Sequence, residues 1–210
     1  NALSDEEFKA AKDAVEKDCA VHVEKSGNTV TVVGVGAHAS TPHLGKNAGL
    51  AALSFAVKLP SLSAEDKEAF EKILKLFPYG VTDGSGLGIK MHDEESGDLT
   101  CTLDLFAVDD KEMSFTFDSR VPICGNKENC EDVARKYSEA RGFTFETNGM
   151  IPPHHVPKDS EFIKALLSCY EKVTGEKGEC IAIGGGTYVH EVENGVAFGA
   201  ILPDVDTHMH

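Results

Sequence analysis

The stretch Leu99-Thr100-Cys101-Thr102-Leu103-Asp104-Leu105-Phe106-Ala107-Val108-Asp109-Asp110-Lys111-Glu112-Met113-Ser114-Phe115-Thr116-Phe117-Asp118-Ser119-Arg120 decides the architecture. Apolar and polar residues alternate on both sides of Asp109-Asp110, the period of a half-buried strand. Aspartates favour turns, because the short carboxylate bonds nearby backbone N–H groups. Two antiparallel strands follow, Leu99–Val108 and Glu112–Arg120. Ile89–His92 alternates in the same way ahead of a turn at Glu95–Gly97, so the three runs read as a meander.

Working outward from the meander, helices flank it. Gly80–Gly88 carries four glycines and is a loop. Before it lie helices at Ala64–Leu76, opened by Ser63 with Asp66 in a capping-box spacing, and at Asn47–Leu59, ended by Pro60. Earlier still, Thr29–Val35 pairs with the strand begun at Val21-His22-Val23, turning at Gly27-Asn28. Leu3–Asp18 is a helix with Ser4 as N-cap and acids in its first turn. Downstream come a helix at Glu128–Arg141 and a short strand at Phe143–Glu146. This order predicts an α+β fold, a mostly antiparallel sheet covered by helices on one face.

Gly149, Pro152, Pro153 and Pro157 then interrupt regular structure. They divide the chain into residues 3–149 and a tail, 150–210, of α/β character. In the tail we expect helix Ser160–Thr174, strand Cys180–Ile183, a triple glycine and strand Val196–Ile201. A segment this short has too little surface to bury a core of its own.

Composition narrows the partners. Twenty Lys and Arg against 35 Asp and Glu give a formal charge of −15 over 210 residues. A surface that acidic repels nucleic-acid phosphates and anionic membranes. No apolar run reaches the roughly 18 residues of a membrane span, and the N-terminus lacks a secretory signal pattern. Cysteines scattered in helix-like and strand-like runs read as reduced thiols. The expectation is a cytoplasmic protein.

Four segments hold residue types that do chemistry. Gly34–Pro42 places His38 between a strand and a helix among small residues, where a side chain can project toward a ligand; an ordinary surface histidine fits the same pattern. In Asp118-Ser119-Arg120-Val121-Pro122, Arg120 can fork onto a carboxylate. The alternative is an edge ion pair with Asp118. Gly184-Gly185-Gly186-Thr187-Tyr188 exposes backbone N–H groups to an anion, or is a tight turn. The terminal run Asp204–His210 clusters His and Asp as zinc ligands do, or is a frayed end. His22, His92 and His190 read as structural, and His154-His155, between prolines, as part of a boundary loop.

In order and spacing, these segments resemble the PepV-like dipeptidases, within the dinuclear zinc peptidases and aminoacylases that include carboxypeptidase G. The likeness is carried by Gly36-Ala37-His38-Ala39-Ser40, Pro42, Gly45 and Asn47-Ala48, then Phe117–Pro122. It continues in Val156–Ser160, Tyr170–Gly175, Gly184–Tyr188 and Gly195–Ala200. The resemblance implies a catalytic domain holding two zinc ions (manganese or cobalt as alternatives) and a lid domain inserted into it. Residues 3–149 would be the lid without its first part, and 150–210 the C-terminal segment of the catalytic domain. His38 would stabilise the tetrahedral oxyanion, and Arg120 would bind the C-terminal carboxylate of a dipeptide. Gly184, Gly185, Gly186 and Thr187 would line the substrate. His210 would be the last metal ligand, chosen over His208 because the family histidine closely precedes a glutamate motif.

Departures bear on activity. The family's other metal ligands and catalytic glutamates lie upstream of the lid, and nothing before His38 supplies them. Val189-His190 stands where the family has a small residue and then arginine. The chain alone is therefore expected to be inactive. Other readings are an aminoacylase or carboxypeptidase fragment, or a non-catalytic lid-like module that binds peptides. A homodimer through an exposed sheet edge is a further expectation.

Overall fold

The computed structural model describes residues 3–109 and 111–199. Helix α1 spans Asp5–Cys19. The Ser4 hydroxyl accepts the Glu7 N–H at 3.2 Å, and the Glu7 carboxylate accepts the Ser4 N–H at 3.3 Å, a complete capping box. Strands β1 (His22–Ser26) and β2 (Thr29–Val33) form the first hairpin, with His22 opposite Val33.

Helices α2 (Ala48–Ala56) and α3 (Ala64–Leu76) follow. Ser63 caps α3 by accepting the Asp66 N–H at 3.0 Å. The Asp66 carboxylate instead takes the Ser63 hydroxyl, at 2.6 Å. It lacks the methylene that lets a glutamate reach back to the cap backbone, so only half of a capping box forms.

The remaining strands are β3 (His92–Asp93), β4 (Gly97–Asp98), β5 (Thr100–Val108) and β6 (Met113–Arg120). All pairing is antiparallel, in three two-stranded ribbons, β1–β2, β3–β4 and β5–β6. The α+β class read from the sequence is thus the class observed. The predicted helix 128–141 is a π-turn, Lys127–Glu131, running into α4, Asp132–Glu139. Helix α5 covers Glu161–Thr174, from a Ser160 cap to Gly175 at φ +74°.

Two apolar cores lie under these elements. One gathers Leu50, Leu53, Ile73, Leu99 and Leu103 with their neighbours beneath β5–β6. The other packs Ala11, Val15 and Val23 against Ala51 and Phe55. Helix α2 serves both, Leu50 and Leu53 facing one core and Ala51 and Phe55 the other. Hence its sequence, AGLAALSFA, is apolar on nearly every side.

Three predicted strands are absent among the described residues, and of a fourth, Ile89–His92, only His92 lies in a strand; β3 pairs with β4 and not with β5, so the expected three-run meander does not form. The Phe143 N–H donates to Ser138 O at 3.2 Å, and Phe143–Glu146 pairs with no described strand. Its alternation serves packing instead: Phe143 meets Phe115 edge-on at 5.0 Å, and Phe145 meets Phe117 at 6.1 Å. Cys180–Ile183 is irregular, with Ile181 and Ile183 exposed, and it pairs with no strand among the described residues. Val196–Gly199 is likewise not a strand, and residues 200 and 201 of that prediction lie outside the described residues. No described helix is long and apolar enough to cross a membrane.

Candidate functional site

The site begins with the loop after β2. Val35 and Lys46 form an isolated antiparallel bridge, N···O 3.0 and 2.8 Å, that closes the loop at its base. Glycine is required at Gly34, where a Cβ would lie 2.0 Å from the Lys46 carbonyl oxygen. Within the loop the Thr41 N–H donates to His38 O at 2.8 Å, and Pro42 opens a single 3₁₀ turn, Pro42–Leu44. Two bonds fasten the loop to β5. The Thr100 hydroxyl donates to Ala39 O at 2.8 Å. The Asn47 amide donates to Leu103 O at 2.6 Å, while its own oxygen caps α2 by accepting the Leu50 N–H at 2.9 Å.

His38 is oriented by its neighbour. The Ser40 backbone N–H donates to His38 Nδ1 at 3.2 Å, and Ser40 Oγ lies 2.8 Å from the same nitrogen. A ring nitrogen that accepts an N–H carries no proton in the neutral imidazole, so the proton sits on Nε2. His38 thus presents an N–H donor outward.

Arg120 ends β6. Asp118 stands two residues earlier, on the same face of the strand. Arg120 Nε and Nη2 donate to Asp118 Oδ1 and Oδ2 at 2.6 and 2.8 Å, a two-pronged pair. Both partners are about a third exposed. The edge ion pair considered from the sequence is therefore present, and it leaves Nη1 unused. Asp104, on β5, titrates above the usual carboxylate range. Partial burial and the charge of Asp118 push it up, against the pull of Arg120.

The glycine run joins His38 to Arg120. A Cβ on Gly184 would lie 2.8 Å from Ser40 Cβ and 3.5 Å from Arg120 Cβ. One on Gly185 would lie 3.8 Å from Arg120 Nη1 and 4.0 Å from His38 Cε1. The lack of side chains at these two positions lets the backbone pass Ser40 and keeps the space between guanidinium and imidazole open. Gly186 has no such neighbour, and Thr187 is exposed, its carbonyl accepting the His190 N–H at 3.0 Å. So the structure brings together His38, Arg120, Gly184 and Gly185, with Gly186 and Thr187 leading away. His208 and His210 lie outside the described residues. Beside the site, a recess of roughly 190 Å³ opens between the 3₁₀ turn and β5, reached by Lys46, Asn47 and Thr102.

The other histidines hold segments together. His154 Nε2 is 2.7 Å from Gly195 O, and His190 Nε2 is 3.0 Å from Pro152 O. His155 pairs with Glu95 at 3.0 Å, His22 with Glu16 at 3.1 Å and His92 with Asp98 at 2.8 Å. All six cysteines are unpaired thiols, and burial pushes Cys101 up to about 12, which makes it inert. Among the described residues no three His, Cys, Asp or Glu side chains cluster as metal ligands.

From the sequence alone Ser40 belongs to the motif around His38 without a role of its own, and Thr100 and Asp104 carry no signal beyond their strand. Ser40 was legible as a hydroxyl two residues from a candidate histidine, a spacing at which side chain and backbone N–H can both return to the ring.

No family model matches this chain. It is 32% identical over 182 residues to a Staphylococcus epidermidis protein with the printed name "Putative dipeptidase". It is 31% identical over 183 residues to a Staphylococcus aureus (strain USA300) protein also named a "Putative dipeptidase". Each alignment takes in 86% of this chain and 38% of the relative. The chain thus spans under two-fifths of the length of the curated relatives it matches.

Proposed function

We propose that the chain is the substrate-recognition part of a metal-dependent dipeptidase of the PepV-like kind. Residues 3–149 are read as the lid and 150–210 as the returning catalytic segment. The convergence of His38, Arg120 and Gly185 on one gap carries this reading, supported by the dipeptidase names of the relatives. The two metal ions of such an enzyme, zinc in this reading, would be held outside the described residues and would supply the activated water. His210 stays with that proposed metal set.

The described residues account for binding and orientation. Asp118 fixes the guanidinium plane, so Arg120 offers Nη1 and the free edge of the fork to a carboxylate. Ser40 fixes the imidazole tautomer, so His38 Nε2–H donates to a carbonyl oxygen as negative charge grows there. Such a donor acts most strongly in the transition state, where removing one costs about 3–4 kcal/mol. The backbone at Gly184–Gly186 flanks the chain between the two groups. A carboxylate anchor beside the reacting carbonyl favours dipeptides over long peptides.

The test is a titration of ¹⁵N-labelled chain with Ala-Ala and with Ala-Ala amide. The reading predicts shifts at the Gly185 amide and Arg120 Nε, and at least about tenfold weaker binding of the amide, since a charged hydrogen bond is lost. Arg120→Ala abolishes that difference. Equal binding of acid and amide would contradict the reading. The chain alone is predicted not to hydrolyse dipeptides with Zn²⁺ or Mn²⁺; chelator-sensitive turnover would overturn that part.

A further inference from the structure

Among the described residues, one negative charge on the Arg120 face has no counterpart. Along β5, Cys101 and Leu103 point into the core, while Thr100 and Thr102 lie opposite Arg120 and Asp118. The register then slips: Leu103 faces Phe117, but Leu105 faces Thr116, so Asp104 has no partner across the ribbon. A bulge of this kind puts two successive residues on one face. Leu105 is accordingly 69% exposed, and Asp104 shares the outward face with Asp118 and Arg120. Asp118 already matches the charge of Arg120 with both oxygens. Among the described residues Asp104 makes no ion pair. Asp104, Asp118 and Arg120 therefore sum to one net negative charge around an arginine that still has a donor edge to offer.

Such an array can take a bare carboxylate on the free donor edge of Arg120. It gains more from a ligand that brings a carboxylate to Nη1 and a cation to the spare acid. The Arg120 side chain leans to the level of Asp118, opposite Thr102. Asp104 lies two residues further along the strand, about 7 Å away at strand rise. The four-carbon stem of a lysine spans that gap.

We propose that Asp104 makes this site select dipeptides whose C-terminal residue carries a positive side chain. This rests on the reading of Arg120 as the carboxylate anchor and adds the class of residue attached to that carboxylate. The raised titration of Asp104 is the effect expected of an unmatched acid beside another carboxylate.

The experiment compares Nα-acetyl-L-lysine with Nα-acetyl-L-norleucine, which share a carboxylate and differ in the charge at the side-chain end. Both are titrated into the full 210-residue chain by calorimetry and ¹⁵N spectra. The expected preference for the lysine derivative is about fivefold at low salt, the worth of one partly exposed ion pair. In 1 M NaCl it collapses toward one, through screening. Asp104→Asn brings the ratio to about one, whereas Glu68→Gln, on the far helix α3, leaves it at the wild-type value. Equal affinity for the two ligands in the wild-type chain would overturn the proposal while leaving the carboxylate anchor standing. So would a preference that survives Asp104→Asn or 1 M NaCl. Failure of both ligands to bind would remove the anchor reading and the selectivity with it.

Discussion

Residues up to Met150 and residues beyond it are built on different terms. The first part owns its core: among the described residues, every buried apolar side chain but Ile163 lies there. In the second part, helix α5 buries only Ile163, while Phe162, Val173, Ile181, Ile183 and Tyr188 stand exposed. Both parts have good local signals. Ser4 caps α1 and Ser160 caps α5 by the same bond, to the N–H three residues on. The difference shows that local propensity starts an element, whereas stability comes from the layer packed against it. It also shows how a site can draw on both: His38 and Arg120 come from the well-packed part, and the glycines that frame them from the thinly packed one.

The comparison breaks most visibly in the core. Ile73→Ala should cost about 3–4 kcal/mol, since Ile73 is fully buried. Ile181→Ala should cost less than about 0.5 kcal/mol, since Ile181 is 83% exposed. Urea unfolding measures both, and similar losses would mean the second part carries a core of its own.

Next in size is Gly34→Ala. The added methyl would meet the Lys46 carbonyl, parting the bridge that shapes the His38 loop, at a cost of about 1–3 kcal/mol. The His38 ring resonances should move with it.

A smaller effect sharpens the contrast with matched chemistry. Ser4→Ala should lower global stability by about 1 kcal/mol. Ser160→Ala should leave the urea midpoint nearly unchanged and speed amide exchange along Glu161–Thr174 only.

The smallest effect is a pH dependence within the first part. Lys90 and Ser85 hold the Asp83 carboxyl down at about 2. An acid lowered on folding stabilises the fold above its unfolded value near 3.8 and loses that contribution as pH falls through about 2. Because Asp83 is partly solvated, Asp83→Asn should cost at most about 1 kcal/mol at pH 7, and the cost should fade as pH falls through about 2. Asp104 works in the opposite sense: its raised pKa costs stability above the folded value, so Asp104→Asn should raise the melting temperature slightly at pH 7.

Much of the first part was legible in the sequence, because cap residues, turn glycines and alternating strands are local signals. The bulge was not. A period of two run through Cys101, Leu103 and Leu105 puts Leu105 inside, and only the cross-strand register reveals the extra residue. Phe143 and Phe145 misled for a related reason: their alternation packs rings onto β6 without a backbone ladder. Cys180–Ile183 has strand composition, but composition cannot show whether a neighbouring strand is there to pair with. For the site, residue types marked His38, Arg120 and the glycines one by one. Their meeting across more than 140 positions of chain is a tertiary fact, and so is the tautomer that Ser40 imposes.

In the proposed function a ligand occupies the gap between Arg120 Nη1 and His38, kept open by the missing side chain of Gly185. Gly185→Leu tests it most directly, because this backbone is free of the left-handed conformation and has room for a first methyl. The expected result is an unchanged melting temperature and circular dichroism spectrum, with Ala-Ala binding lost. A Gly185→Leu chain that folds and binds Ala-Ala as the wild type does would contradict it.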